Sequence, residues 1–136
     1  MPGRGFLLPS QDDLQGSTEF HWRSTAVNAY YAIFLECRHH LLKWGFQVPS
    51  RDSIHSGVRL RFTFANDRDM KAIGDVLDEL VRLRNRASYD MKTQVEFNST
   101  NRSAKAIQDA TRAIGILDQI EKDPIRRAAS IRSIVP

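Results

Sequence analysis

Apolar residues recur at helical spacing in four segments of this chain and alternate at strand spacing almost nowhere. In the first segment Trp22, Ala26, Ala29, Tyr30, Ile33, Phe34, Cys37, Leu41 and Trp44 share one helical face. Ser17 or Thr18 suits the cap that starts this helix, and Gly45 is placed to end it in a left-handed turn. A loop containing Pro49 follows, and then Ile54, Val58, Phe62 and Ala65 mark a shorter helix over about 53–65, closed by Asn66 and Asp67. Met70, Ile73, Leu77, Leu80, Arg84 and Ala87, spaced 3, 4, 3, 4 and 3, predict a third helix running to Asp90. Residues 91–100 are polar and irregular. Ala104, Ile107, Ala110, Ile114, Leu117 and Ile120 then predict a long helix over about 101–122, stopped at Asp123-Pro124 because a residue before proline is pushed out of helical geometry. Ile125 to Pro136 has room for another helical turn or two. The one alternating stretch, Gln94 to Phe97, is too isolated to build a sheet.

The pattern therefore predicts an all-α fold, an up-down bundle of four to five helices with antiparallel neighbours. Residues 1–16, with two prolines and three glycines, form an irregular lead-in; residues 17–123 form the bundle; residues 124–136 form a basic tail. At 136 residues the chain is one domain with enough length for its own core. No apolar run approaches the roughly 20 residues that span a bilayer, and MPGRGFLLPS is too short and too polar for a secretory signal, so a cytoplasmic location is expected. Cys37, the single cysteine, rules out an intrachain disulfide and reads as a small buried hydrophobe.

Charge changes the picture little. The net charge is +4, but Arg126, Arg127 and Arg132, with no acid after Asp123, carry three of those charges, and the rest of the chain is close to neutral. A basic end of this kind reads as a solvated tail or, less commonly, as a nucleic-acid arm.

The position that departs from the pattern is Arg84. It occupies an otherwise apolar stripe, with Asn85 next to it and Ser88 and Tyr89 one turn on. A guanidinium stays charged at ordinary pH and is costly to bury unpaired. Either it meets a carboxylate, a partner chain or an anionic ligand, or the helix ends here and the side chain snorkels to solvent. The histidines offer less. His39 and His40 are adjacent on a helix, point about 100° apart and fall mostly off the apolar stripe, as solvated or helix-end histidines do. His21 and His55 are single histidines without an identifiable partner. No HExxH motif, glycine-rich phosphate loop or zinc-spaced cluster is present, and no metal or cofactor is expected. Tyr30 falls on the core face, its hydroxyl requiring a hydrogen bond, and Tyr31 lies just off it, where it could line a groove or an interface.

Three segments taken in order carry a resemblance. TAVNAYYAIF at 25–34, HSGVRLRF at 55–62 and LDELVRLRNRASYD at 77–90 resemble the HEPN superfamily, in particular its small standalone proteins with an AYYAxF helix, an HSG loop and an RNxADY ending. The likeness runs from about His21 to Ile120. It implies a four- or five-helix bundle that is usually dimeric. Many such proteins are metal-independent endoribonucleases or toxins with an R-N-x-x-x-H pattern, in which arginine and histidine from two protomers meet on the scissile phosphate. The matching positions here are Arg84, Asn85 and, in place of the histidine, Tyr89. Tyr89 can donate to a phosphate, but a tyrosine titrating near 10 is a poor base at neutral pH. Met91 stands where related toxins paired with a nucleotidyltransferase often carry a modifiable tyrosine, and Asn28 where an arginine is common. The resemblance thus implies a dimeric, non-catalytic module that binds RNA, a nucleotide or a partner through Arg84, Arg86, Tyr89 and Tyr31. A nucleotidyltransferase is the implied partner, in a toxin–antitoxin or defence setting. The alternative is an endoribonuclease using Arg84 with a non-histidine base.

Overall fold

The computed structural model describes residues 19–48, 54–89 and 101–134, without the side chains of residues 19–23, 54, 86–89 and 101–103. These residues form a helical bundle with no strand among them: α1 (Glu19–Lys43), α2 (Ile54–Thr63), α3 (Arg68–Tyr89), α4 (Asn101–Lys122) and α5 (Pro124–Ser133). None of these helices is long and apolar enough to cross a membrane. The lead-in over residues 1–16, the Gln94–Phe97 stretch and Met91 lie outside the described residues.

α1 is the central element, packed between α3 and α4 with α2 against one edge. Ala26, Ala29, Tyr30, Ile33, Phe34, Cys37 and Leu41 are all buried, as their spacing predicts. The buried arc is wider than that stripe, however, and also takes in Thr25, Ala32, Glu36 and His40. Gly45 ends the helix at φ 94°, a conformation that costs an L side chain about 1 kcal/mol or more. The amides of Gly45 and Phe46 reach back to the carbonyls of Leu42 (3.1 Å) and Leu41 (3.0 Å), the Schellman arrangement.

α3 buries Met70, Ile73, Val76, Leu77, Leu80 and Leu83, so the apolar stripe continues through Leu83 and leaves Arg84 at its edge. α4 buries Ile107, Ala110, Ile114, Leu117 and Ile120 with Ala106 and Ala113, whereas Ala104 is half-exposed. Close approach of α2 to α3 depends on Gly74. A β-carbon there would stand 2.7 Å from the backbone nitrogen of Thr63.

The basic end of the chain is folded rather than solvated. Asp123 caps α5, accepting from the amides of Ile125 (3.0 Å) and Arg126 (3.3 Å), and Pro124 occupies the first turn, where its missing N–H costs nothing. Arg126 forks onto the start of α3 and the loop before it, donating to both carboxylate oxygens of Asp67 and to Asp69 (2.7 Å). The Asn66 amide donates to the Ser133 carbonyl across the same contact (3.0 Å). Asp67 also caps α3, accepting from the amides of Asp69 (2.8 Å) and Met70 (3.3 Å). Together Arg126 and these amides hold the Asp67 carboxyl at a pKa of about 2, against its ordinary 3.8.

A depressed carboxylate contributes stability that is complete above its unfolded pKa and disappears as pH falls through the folded one. Urea melts are therefore expected to show about 1–2 kcal/mol lost at this site between pH 4 and pH 2, after allowance for solvent screening. The Asp67→Asn variant should lack that component. An unchanged acid limb in the variant would show that the Arg126 fork contributes nothing.

Candidate functional site

Residues from all three resemblance-bearing segments meet at one place. Arg84, near the end of α3, is half-buried, and its guanidinium lies 5.2 Å from the ring centre of Tyr30 and 5.9 Å from that of Tyr31, both on α1. One terminal nitrogen donates to the Tyr31 hydroxyl (3.3 Å) and the other to Oδ1 of exposed Asn85 (2.8 Å). Its Nε is buried without a partner. Cation–ring contacts of this kind are worth about 0.5–2 kcal/mol, so the rings hold the cation without cancelling its charge.

The contrast with other arginines is direct. Arg59 and Arg82 pair with Asp78 (2.9 and 3.0 Å), Arg112 with Asp109 (3.3 Å), Arg126 with Asp69 and Arg127 with Glu121. Arg84 has no carboxylate partner among the described residues. Arg38 and Arg61 also leave Nε buried and unmatched, but the aromatic cradle belongs to Arg84.

His55, at the start of α2, joins this cluster. Its ring packs on Phe34 (4.5 Å between centres) and lies 5.6 Å from Tyr30 and 6.5 Å from Tyr31. Its Nδ1 stands 2.5 Å from the Tyr30 hydroxyl. Burial, with a smaller contribution from the Arg84 charge, holds the His55 pKa below its ordinary 6.5. Burial likewise pushes Tyr30 well above the usual tyrosine range, more strongly than Arg84 pulls it down. Both groups are therefore neutral at pH 7. A depressed histidine contributes stability that is present above pH 6.5 and lost on acidification through its folded pKa. An NMR titration is expected to place the His55 midpoint below 6.5, and Arg84→Ala should raise it by removing the second cause. A midpoint that Arg84→Ala leaves unmoved would dissociate the two side chains.

Of the residues singled out in the sequence, Arg84, Asn85 and Tyr31 come together. Arg86 and Tyr89 lie on α3, and their side chains are outside the described residues. The cluster adds His55, which the sequence shows without a partner, and Tyr30, which it places on the core face. Tyr30 is indeed core, at 2% exposure, with its hydroxyl bonded.

His40 is a correction. It lies in the last turn of α1, as a helix-end histidine does, but at 1% exposure it is buried rather than solvated. Its Nδ1 donates to the Glu36 carbonyl (2.9 Å), and its Nε2 faces Glu121 of α4 at 4.0 Å. Glu121 also receives Trp44 Nε1 (2.8 Å), Lys43 (2.9 Å) and Arg127 (3.2 Å), which together hold its pKa low although burial opposes them. This is a structural tie among α1, α4 and α5. His39 is exposed.

No group of three or more histidine, cysteine or acidic residues among the described residues could hold a metal. A cleft of about 380 Å³ between α3 and α4 is lined by Asp78, Glu79, Arg82, Lys105 and Asp109. Its charges satisfy one another, Lys105 bonding Glu79 (3.2 Å) and Asp109 (2.6 Å), so it offers no unmatched charge to a ligand. No family model matches the chain, and neither a curated protein nor a solved structure was found to resemble it.

Proposed function

We propose that this chain is a HEPN-like up-down bundle that dimerises and holds the phosphate of an RNA or nucleotide at Arg84 without cleaving it, in concert with a partner such as a nucleotidyltransferase. One observation carries the phosphate assignment: a half-buried guanidinium with no carboxylate counterion among the described residues, held in place by neutral groups. Those groups orient the donors and leave the charge to be matched from outside. A phosphate fits, since its oxygens accept the paired N–H groups of an arginine at charge-assisted strength.

The test is fluorescence anisotropy with a labelled single-stranded RNA, for wild type, Arg84→Ala and exposed His39→Ala. Hydrogen bonds to charged groups are worth about 1.5–3 kcal/mol, so Arg84→Ala is expected to weaken binding about 10- to 100-fold. It should also reduce the slope of log K against log salt by about 1, while His39→Ala changes neither. Equal binding by Arg84→Ala would remove the assignment. Dimerisation is expected through the C-terminal half of α3, where Arg84 sits. Light scattering that reports a monomer at tens of micromolar would contradict it.

A further inference from the structure

The arrangement of Tyr30, His55 and Arg84 determines which proton His55 can offer. Tyr30 is sealed in the core, and a buried O–H must be hydrogen-bonded or incur a cost of about 1–3 kcal/mol. Among the described residues the acceptor for its proton is Nδ1 of His55, at 2.5 Å. A neutral imidazole whose Nδ1 lone pair is occupied carries its proton on Nε2. That Nε2 has no partner among the described residues and is not one of the sealed polar atoms. The ring is fixed by Phe34 beneath it and Tyr30 and Tyr31 beside it, so the donor is preorganised. Arg84 flanks the same two tyrosines, its carbon 5.2 and 5.9 Å from their centres.

Taking Arg84 as the phosphate anchor described above, we propose that His55 is a second anion contact of the site, fixed by Tyr30 in the tautomer that presents Nε2–H to a phosphoryl oxygen. The ligand class is a phosphate ester, gripped by one permanent cation and one neutral N–H. Tyr30 is a positioning residue that acts only through His55. The arrangement differs from a general-base histidine, whose free lone pair would have to face the ligand. Here the lone pair points into the core.

Two measurements test this. Long-range 1H–15N spectra of the wild-type protein at pH 7.5 should show His55 protonated at Nε2 with Nδ1 as acceptor, and Tyr30→Phe should release it to a mixture of tautomers. Titrations with inorganic phosphate and with a short single-stranded RNA then compare variants. His55→Phe keeps the ring on Phe34 but loses the donor, and is expected to weaken binding at least about tenfold, the lower end of the worth of one hydrogen bond to a charged group. His55→Gln can place an amide N–H near the lost Nε2–H and should recover most of the affinity. Nδ1 protonation in the wild type overturns the proposal even if the variants fold poorly. Full affinity in His55→Phe overturns it as well. If Arg84→Ala weakens binding and His55→Phe does not, the second contact fails while the phosphate anchor stands. If neither variant weakens binding, both fail.

Discussion

Gly74→Ala is expected to lower the stability of the bundle by about 1–3 kcal/mol, the usual cost of overpacking, and the thermal midpoint by roughly 3–10 °C. The added methyl carbon would sit 2.7 Å from the Thr63 nitrogen and 2.8 Å from both its Cα and its side-chain oxygen. The hydroxyl could rotate away, but the two backbone atoms belong to the last turn of α2 and can yield only if the helix moves. Helix propensity works the other way, since alanine is better than glycine inside a helix by about 0.8–1.0 kcal/mol. The clash is expected to win because it involves backbone rather than the end of a flexible side chain. Gly115 provides the control. It lies inside α4 with nothing within 4 Å of its would-be β-carbon, so Gly115→Ala should raise the midpoint. A Gly74→Ala protein that melts with Gly115→Ala, above wild type, would mean that α2 does not seat against α3 as described. Because α2 carries His55, its displacement should also shift the His55 and Phe34 NMR signals.

Much of this fold was legible in the sequence, and the exceptions have physical causes. The long helices and the left-handed stop at Gly45 follow from local spacing and local backbone chemistry, which a sequence carries directly. His40 was misread because α1 is enclosed by three other helices. A stripe of one helical face underestimates so wide a buried arc, and polar residues in the remainder, Glu36 and His40, resemble surface positions. What makes His40 tolerable inside is a carbonyl one turn back and a carboxylate at position 121, the second of which no local pattern reveals. At the basic end the sequence leaves room for the helical turns that form, but its charge pattern does not show what they pack against. The partner of that end, Asp67, shows in the sequence only as part of the break between two helices, and its pairing with Arg126 is a tertiary event.

The candidate site divides along the same line. Arg84 stood out because a charge interrupted an apolar rhythm. Tyr31 stood out as a polar-tipped ring beside the apolar face of α1. His55 gave no such signal, since it opens a short helix and meets Tyr30 only when α2 folds against α1. The HSG segment contributed it to a resemblance, but its part in the cluster is a matter of packing.

Position 89 is where the largest change in activity is expected. Wild-type protein should leave a structured RNA intact at pH 7 without metal, and Tyr89→His should gain cleavage. Arg84 can stabilise negative charge developing on a phosphate, but a proton must also leave the attacking hydroxyl. Tyr30 is sealed and holds its proton more tightly than an ordinary tyrosine. In the tautomer proposed above, the basic lone pair of His55 is engaged by the Tyr30 hydroxyl. A tyrosine at its ordinary pKa near 10 is almost wholly protonated at pH 7 and offers no base. General acid–base catalysis contributes about 10²–10⁴-fold, and a histidine five residues beyond Arg84, about 7.5 Å along the same helix, would restore the missing group at the position the resemblance assigns to it. Each protein is assayed beside its own Arg84→Ala control. Cleavage that appears only with Tyr89→His and disappears with Arg84→Ala identifies an intact anion site lacking a base. Wild-type cleavage abolished by both Arg84→Ala and His55→Phe would instead make His55 the base, and would overturn the non-catalytic assignment together with the tautomer inferred from Tyr30.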